Sequence, residues 1–180
     1  MEETLVNKVA ESGIITLSLE NFIPDAAQLA VFDIKPFLFR EMILREKDFR
    51  TALLELDWEP YRGKHVAVTC SVDAIIPMWA YMLAGSYLEP VALSVYFGTQ
   101  AELKKHVMLQ QIEAVKGEEY VDKRVVIKGC GEDPVPESAY VAITAKLRPL
   151  VKSLMYGEPC STVPIYKKPL SRPAAGVQEG

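Results

Sequence analysis

Cysteine and histidine are scarce in this chain of 180 residues, which has three of the first and two of the second. Three thiols do not make a disulfide framework, which in small secreted domains comes in even numbers. Each one alone therefore reads as a free, packed side chain. The two histidines, His65 and His106, leave few bases for a cysteine nucleophile. His65 opens a short run whose far end carries Cys70, about 16 Å away at ~3.3 Å per strand residue, and His106 falls on the exposed-looking face of a helix. Long apolar runs are missing too. The longest weakly charged stretch, residues 74–88, holds Pro77 and lies between Asp73 and Glu89, short of the roughly 20 apolar residues of a membrane helix. The opening MEETLVNKVAESG has no basic segment ahead of an apolar one, so no secretory signal is expected. The reading is cytoplasmic, with no membrane partner. Positive charge is not concentrated either: the net charge is −4 and lysine and arginine are scattered, without the basic stripe that nucleic-acid binding requires. The phosphate-loop, dinucleotide, zinc-protease and serine-hydrolase motifs are all absent.

What is present is an ordinary globular composition, 49% hydrophobic and 24% charged, in a length that suits one domain. Residues 1–166 are expected to form that domain, and the polar, Pro/Gly-rich residues 167–180 a flexible tail. Leu5, Val6 and Val9 could line a short N-terminal helix stopping at Gly13. Period-two alternation over 14–20 and the run over 27–34 read as strands. Pro36 suits a first helical turn, and Phe39, Met42, Ile43, Phe49, Leu53 and Leu56 share one helical face, so one long helix is expected from there to about Asp57. Three strand-then-helix units follow. HVAVT (65–69) leads to an apolar helix over 75–83. A strand over 91–97 leads to AELKKHVMLQQIEAV, with Thr99 and Glu102 spaced as a capping box. RVVIK (124–128) leads to a final helix over 139–156, kinked at Pro149 and ended by Gly157. The alternation predicts a single-domain α/β fold with an at least partly parallel sheet and helices on both faces.

In such sheets ligands sit outside the carboxyl ends of the strands. Cys70 ends one predicted strand and Cys130 follows another by two residues, so both thiols are expected on one rim. Cys70 reads as standing just before a helix N-terminus, which would favour a thiolate. Cys130 lies between Gly129 and Gly131, a turn open to close ligand approach or an anion-binding nest, with Lys128 as electrostatic support. Cys160 follows the last helix, which should return the chain to the opposite rim, so it joins the others only if CSTVPIY folds back or a second subunit supplies it. Convergent thiolates would suit a soft metal or an iron–sulfur cluster, with Asp73, Asp133, Glu158, His65 or solvent as a fourth ligand.

Four blocks, FDIKPFLFREMILREKDFR, VAVTCSVDAIIPMWAYM, VVIKGCGEDPVPESAYV and LMYGEPCSTVPIYKK, resemble the bacterial domain-of-unknown-function 2480 family over about residues 5–168. The family has no established activity, so the resemblance implies no catalytic role. It implies a shared role for Cys70, Cys130 and Cys160, since the family pattern places cysteine in those blocks, and none for His65. It also implies a connection with iron–sulfur cluster assembly, through gene neighbourhoods. The expected function is a thiolate-based accessory in iron–sulfur or sulfur trafficking. It would bind iron or zinc through Cys70, Cys130 and Cys160 with Asp73, and its partners would be cluster-assembly proteins. Two alternatives stand beside it. One is a homodimeric interaction module burying the helix over 75–83, with structural cysteines. The other is a small-molecule enzyme holding an anion at Lys128, Gly129 and Gly131.

Overall fold

The computed structural model describes residues 13–129, 134–158 and 160–169. The helix expected around Leu5, Val6 and Val9, the residues Cys130, Gly131 and Asp133, and residues 170–180 lie outside them. The chain adopts an α/β fold with largely parallel sheets, as its alternating pattern predicts. Its strands fall into two main sheets, one in each of two compact units: Ile23–Gln110, and Met1–Phe22 with Gln111–Gly180.

In Ile23–Gln110 the strands β2 (Leu29–Asp33), β5 (His65–Thr69) and β6 (Ser94–Phe97) run parallel in the order β2-β5-β6. Alternate side chains serve opposite faces. Phe32, Val66 and Val68 pack with Phe49 and Leu53 of helix α1 (Glu46–Glu55) and with Ala80, Ala84 and Leu88 of α2 (Met78–Leu88). Leu29 and Ala67, on the other face, pack against Leu103 and Val107 of α3 (Gln100–Glu113). This sheet therefore carries helices on both faces. The capping box at α3 forms as its spacing predicts: the Thr99 hydroxyl accepts from the Glu102 amide at 3.2 Å, and Glu102 Oε2 accepts from the Thr99 amide at 2.8 Å.

The long helix expected from Pro36 is a correction. Pro36 sits in a single 3-10 turn (Lys35–Phe37), residues 38–44 form a hairpin, β3 (Leu38–Phe39) with β4 (Ile43–Leu44), and the α-helix covers only Glu46–Glu55. The turn holds Arg40 and Glu41 at φ 52° and 57°, where a helix cannot continue. The spacing misleads because positions i and i+4 are neighbours on a helix and also cross-strand partners over a three-residue loop, as Phe39 and Ile43 are here. The Arg45 guanidinium lies 3.4 Å from the Phe39 ring centroid and covers part of that exposed ring.

In the other unit β1 (Ile14–Ser18), β7 (Arg124–Lys128) and β8 (Ser153–Glu158) are parallel neighbours, and β9 (Ser161–Lys167) closes the order β1-β7-β8-β9 antiparallel to β8. Helix α4 (Glu137–Leu147) joins β7 to β8 and buries Ala139, Ile143 and Leu147 at successive turns. The single helix expected over 139–156 is a second correction. It ends at Leu147, Pro149 follows two residues later as a stop rather than a kink, and SLMYGE is a strand. Gly157, read as a helix terminator, sits in β8 at φ 120°.

Candidate ligand-binding site

The β7–α4–β8 crossover sets up a site near the carboxyl ends of β7 and β8. Register pairs Val125 with Leu154 and Ile127 with Tyr156, so these side chains share the face on which α4 lies. Leu154 is fully buried, whereas Tyr156 is exposed. Tyr140, in the first turn of α4, meets Tyr156 edge to face with ring centroids 5.8 Å apart.

Gly129 fixes Tyr140. Its carbonyl accepts a hydrogen bond from the Tyr140 hydroxyl at 3.0 Å. A Cβ at position 129 would collide with that same hydroxyl oxygen. The absence of a side chain at 129 thus lets a tyrosine one element later reach the backbone, a use of glycine that its neighbour Lys128 could not serve. Lys128 pairs with Glu158 at 2.8 Å, tying the carboxyl ends of β7 and β8 together.

Between α4 and the sheet lies a cavity of about 380 Å³. Ile127, Leu154 and Ile165 supply aliphatic walls, Tyr140 and Tyr156 the aromatic ones, and Thr144 a hydroxyl, with Met155 of β8 also in the lining. The Met155 thioether accepts a weak hydrogen bond from Thr162 at 3.8 Å. Exposed Tyr156 and Ile165 mark the open side. Among these lining residues the polar groups are the Tyr140 and Tyr156 phenols and the Thr144 hydroxyl.

The sequence-predicted site residues are spread over both units. Cys70 follows β5, half-buried against the core formed with α2. Seven residues separate it from α2, which starts after Pro77, so it does not stand at a helix N-terminus as expected. Asp33 organises that corner instead. Its carboxylate accepts from the Lys35 amide at 2.9 Å, the Ser71 amide at 3.0 Å and the Ser71 hydroxyl at 2.5 Å. Desolvation raises the pKa of Asp33, but these hydrogen bonds outweigh it and hold the carboxyl below its usual range. Asp73 is exposed nearby in sequence. Cys160 is exposed in the two-residue connection between β8 and β9, and because β8 is a strand it follows a carboxyl end rather than the opposite rim expected of it. His106 is half-buried and stacks on Tyr96 at 4.5 Å, so the exposed face assigned to it is also corrected. Lys128 and Gly129 lie beside the cavity, whereas Cys130 and Gly131 fall outside the described residues.

Among the described residues no three histidine, cysteine, aspartate or glutamate side chains converge on a metal position. No helix among them is long and apolar enough to cross a membrane. Sequence reasoning missed the cavity-lining role of Tyr140, Thr144, Tyr156 and Ile165. A family model described as "Protein of unknown function (DUF2480)" matches residues 3–168. Neither a curated protein nor a solved structure matches the chain.

Proposed function

We propose, from the premise that the chain belongs to the DUF2480 family of proteins of unknown function, that it binds a small, uncharged, largely apolar organic molecule between α4 and the β7–β8–β9 face. One observation carries this reading: the cavity of about 380 Å³ with aromatic and aliphatic walls. Its size falls within the roughly 300–1,000 Å³ of small-molecule sites. Its place near the carboxyl ends of parallel strands is where α/β sheets hold ligands. The chemistry of the walls sets the ligand class. An ionised group moved into such a lining would lose its hydration, so the walls favour a neutral molecule. The edge-to-face tyrosines favour an aromatic ring, and Thr144 offers it one hydrogen bond.

Thermal unfolding tests the reading. Indole, neutral small aromatics and short alcohols are compared with indole-3-acetate, which adds a carboxylate to the same ring. The neutral probes are expected to raise Tm with concentration by mass action, and Thr144→Phe, which fills the cavity, is expected to abolish the response. No response to any neutral probe, a response to the carboxylate alone, or an undiminished response in Thr144→Phe would each contradict it.

A further inference from the structure

The sheet of Ile23–Gln110 ends in a strand that natural proteins rarely leave bare. Among the described residues β6 pairs only with β5, so its outer edge offers unpaired backbone groups. Edge strands are usually blunted by charge, proline or a bulge. The run LSVYF (93–97) contains no charge and no proline, and its pairing to β5 is regular from end to end.

The side chains above this edge are also uncovered. Leu93, Val95 and Phe97 recur at alternate positions on the face shared with Val66 and Val68, the face on which α2 packs. All three are exposed. Helix α2 covers β5 but leans away from β6: Trp79 packs on Phe49 of α1, and Tyr87 stacks on Trp58. Toward β6 it sends Tyr81, which meets the Phe97 ring at 5.1 Å, edge to face. Met78 and Gly85, three residues before and four after Tyr81, share that side of the helix, and a Cβ at Gly85 would meet open space. Met82, one turn beyond Met78, and Ile75, just ahead of the helix, complete the ledge. The six large apolar side chains, Ile75, Met78, Met82, Leu93, Val95 and Phe97, are exposed by 38% to 92%.

We infer that this ledge and edge form a two-fold interface between two copies of the chain. A two-fold axis perpendicular to the sheet sets β6 antiparallel to β6 of the partner and joins the two three-stranded sheets into one. The same operation leaves both α2 helices on one face of the joined sheet, flanking the axis. The uncovered Val95 and Phe97 of each copy then lie in the trough between them, under Met78 and Met82. The interface is self-complementary in backbone and in side chains, as an isologous contact requires. Its area also suits a dimer. At roughly 100 Å² for a fully exposed large apolar side chain, the six supply roughly 400 Å² per copy. A standard interface of about 800 Å² per partner is a little over half non-polar, so the ledge provides the apolar share of one.

Sedimentation equilibrium of the full chain across a concentration series tests this. The expected result is a mass of twice the chain at concentrations up to about 100 μM, far above a micromolar Kd. Met78→Glu/Met82→Glu places charge on two solvent-exposed helix positions and leaves the core untouched. It is expected to weaken the association by about 100-fold or more with an unchanged circular dichroism spectrum. A chain that stays monomeric throughout would assign the ledge to another protein and overturn the inference. So would a dimer that the double substitution does not weaken while the fold is intact.

Discussion

Gly129 and Tyr140 state the candidate site at the scale of single residues. A glycine carbonyl takes the tyrosine hydroxyl, and the missing Cβ makes room for it. Gly129→Ala is therefore expected to destabilise the protein by about 1–3 kcal/mol, the usual cost of forcing a methyl into a packed position. Tyr140→Phe alone is expected to cost about 1 kcal/mol, the net value of the lost hydrogen bond. The pair should not add: losing the hydroxyl removes the closest clash and leaves only the ring carbons, at 2.9 and 3.2 Å, against the methyl, so the double variant is expected to be less destabilised than the sum of the singles. Urea unfolding of the four proteins measures the coupling, and strict additivity would sever the two residues. The thiols, by contrast, keep ordinary surroundings where they are described. Cys70 packs against apolar neighbours and Cys160 stands exposed at a hairpin turn.

At the scale of elements, legibility follows how local the determining forces are. HVAVT and RVVIK coincide with β5 and β7 to the residue, because a compact β-branched run announces itself. The Thr99–Glu102 box marked the start of α3 because both partners lie within one turn. The hairpin over 38–44 was hidden because its apolar spacing serves a helix equally well, and two residues at positive φ decided the matter. SLMY reads as a continuation of the helix before it because Pro149 can kink or end a helix, and its pairing with β7 lies far away in sequence. STVPIYK holds Pro164, and it can be a strand because β9 pairs only with β8 among the described residues and an edge strand tolerates proline.

One element pair carries a pH dependence. His65 on β5 and Ser94 on β6 are register partners, and His65 Nδ1 lies 2.7 Å from the Ser94 hydroxyl. Burial first, and the neighbouring His106 second, push the imidazole pKa down from its ordinary value of about 6.5. The unfolded chain then binds the proton more readily than the folded one. The stabilisation is fully present above about pH 6.5 and is lost as pH falls toward the lowered folded value. Chemical unfolding at pH 7.5 and pH 5 is expected to show a drop in stability that is smaller in His65→Gln. An equal drop in both proteins would remove His65 from the pH response.

For the whole molecule, the α/β class is legible in the alternation of strands and helices. The cavity is not, because Ile127, Tyr140, Tyr156 and Ile165 come from four elements, and only pairing across the sheet brings them together. The nearest signal was Gly129, singled out for its neighbour Cys130 when its clearest use is to admit Tyr140. The thiolate reading puts Cys70 and Cys130 on one rim and brings Cys160 to them only if CSTVPIY folds back or a second subunit supplies it. In the fold β5 and β7 belong to different sheets, so ending those two strands does not by itself place Cys70 and Cys130 together.

The central claim is that the chamber between α4 and the β7–β8–β9 face holds a neutral apolar molecule. A methyl NMR titration of the full chain with indole addresses it, because Ile127, Leu154 and Ile165 each report from the walls. Saturable shifts are expected at those three residues, with the exposed Met78 and Met82 methyls unmoved at the same indole concentrations. Shifts confined to Met78 and Met82, or no saturation at the cavity methyls, would contradict it.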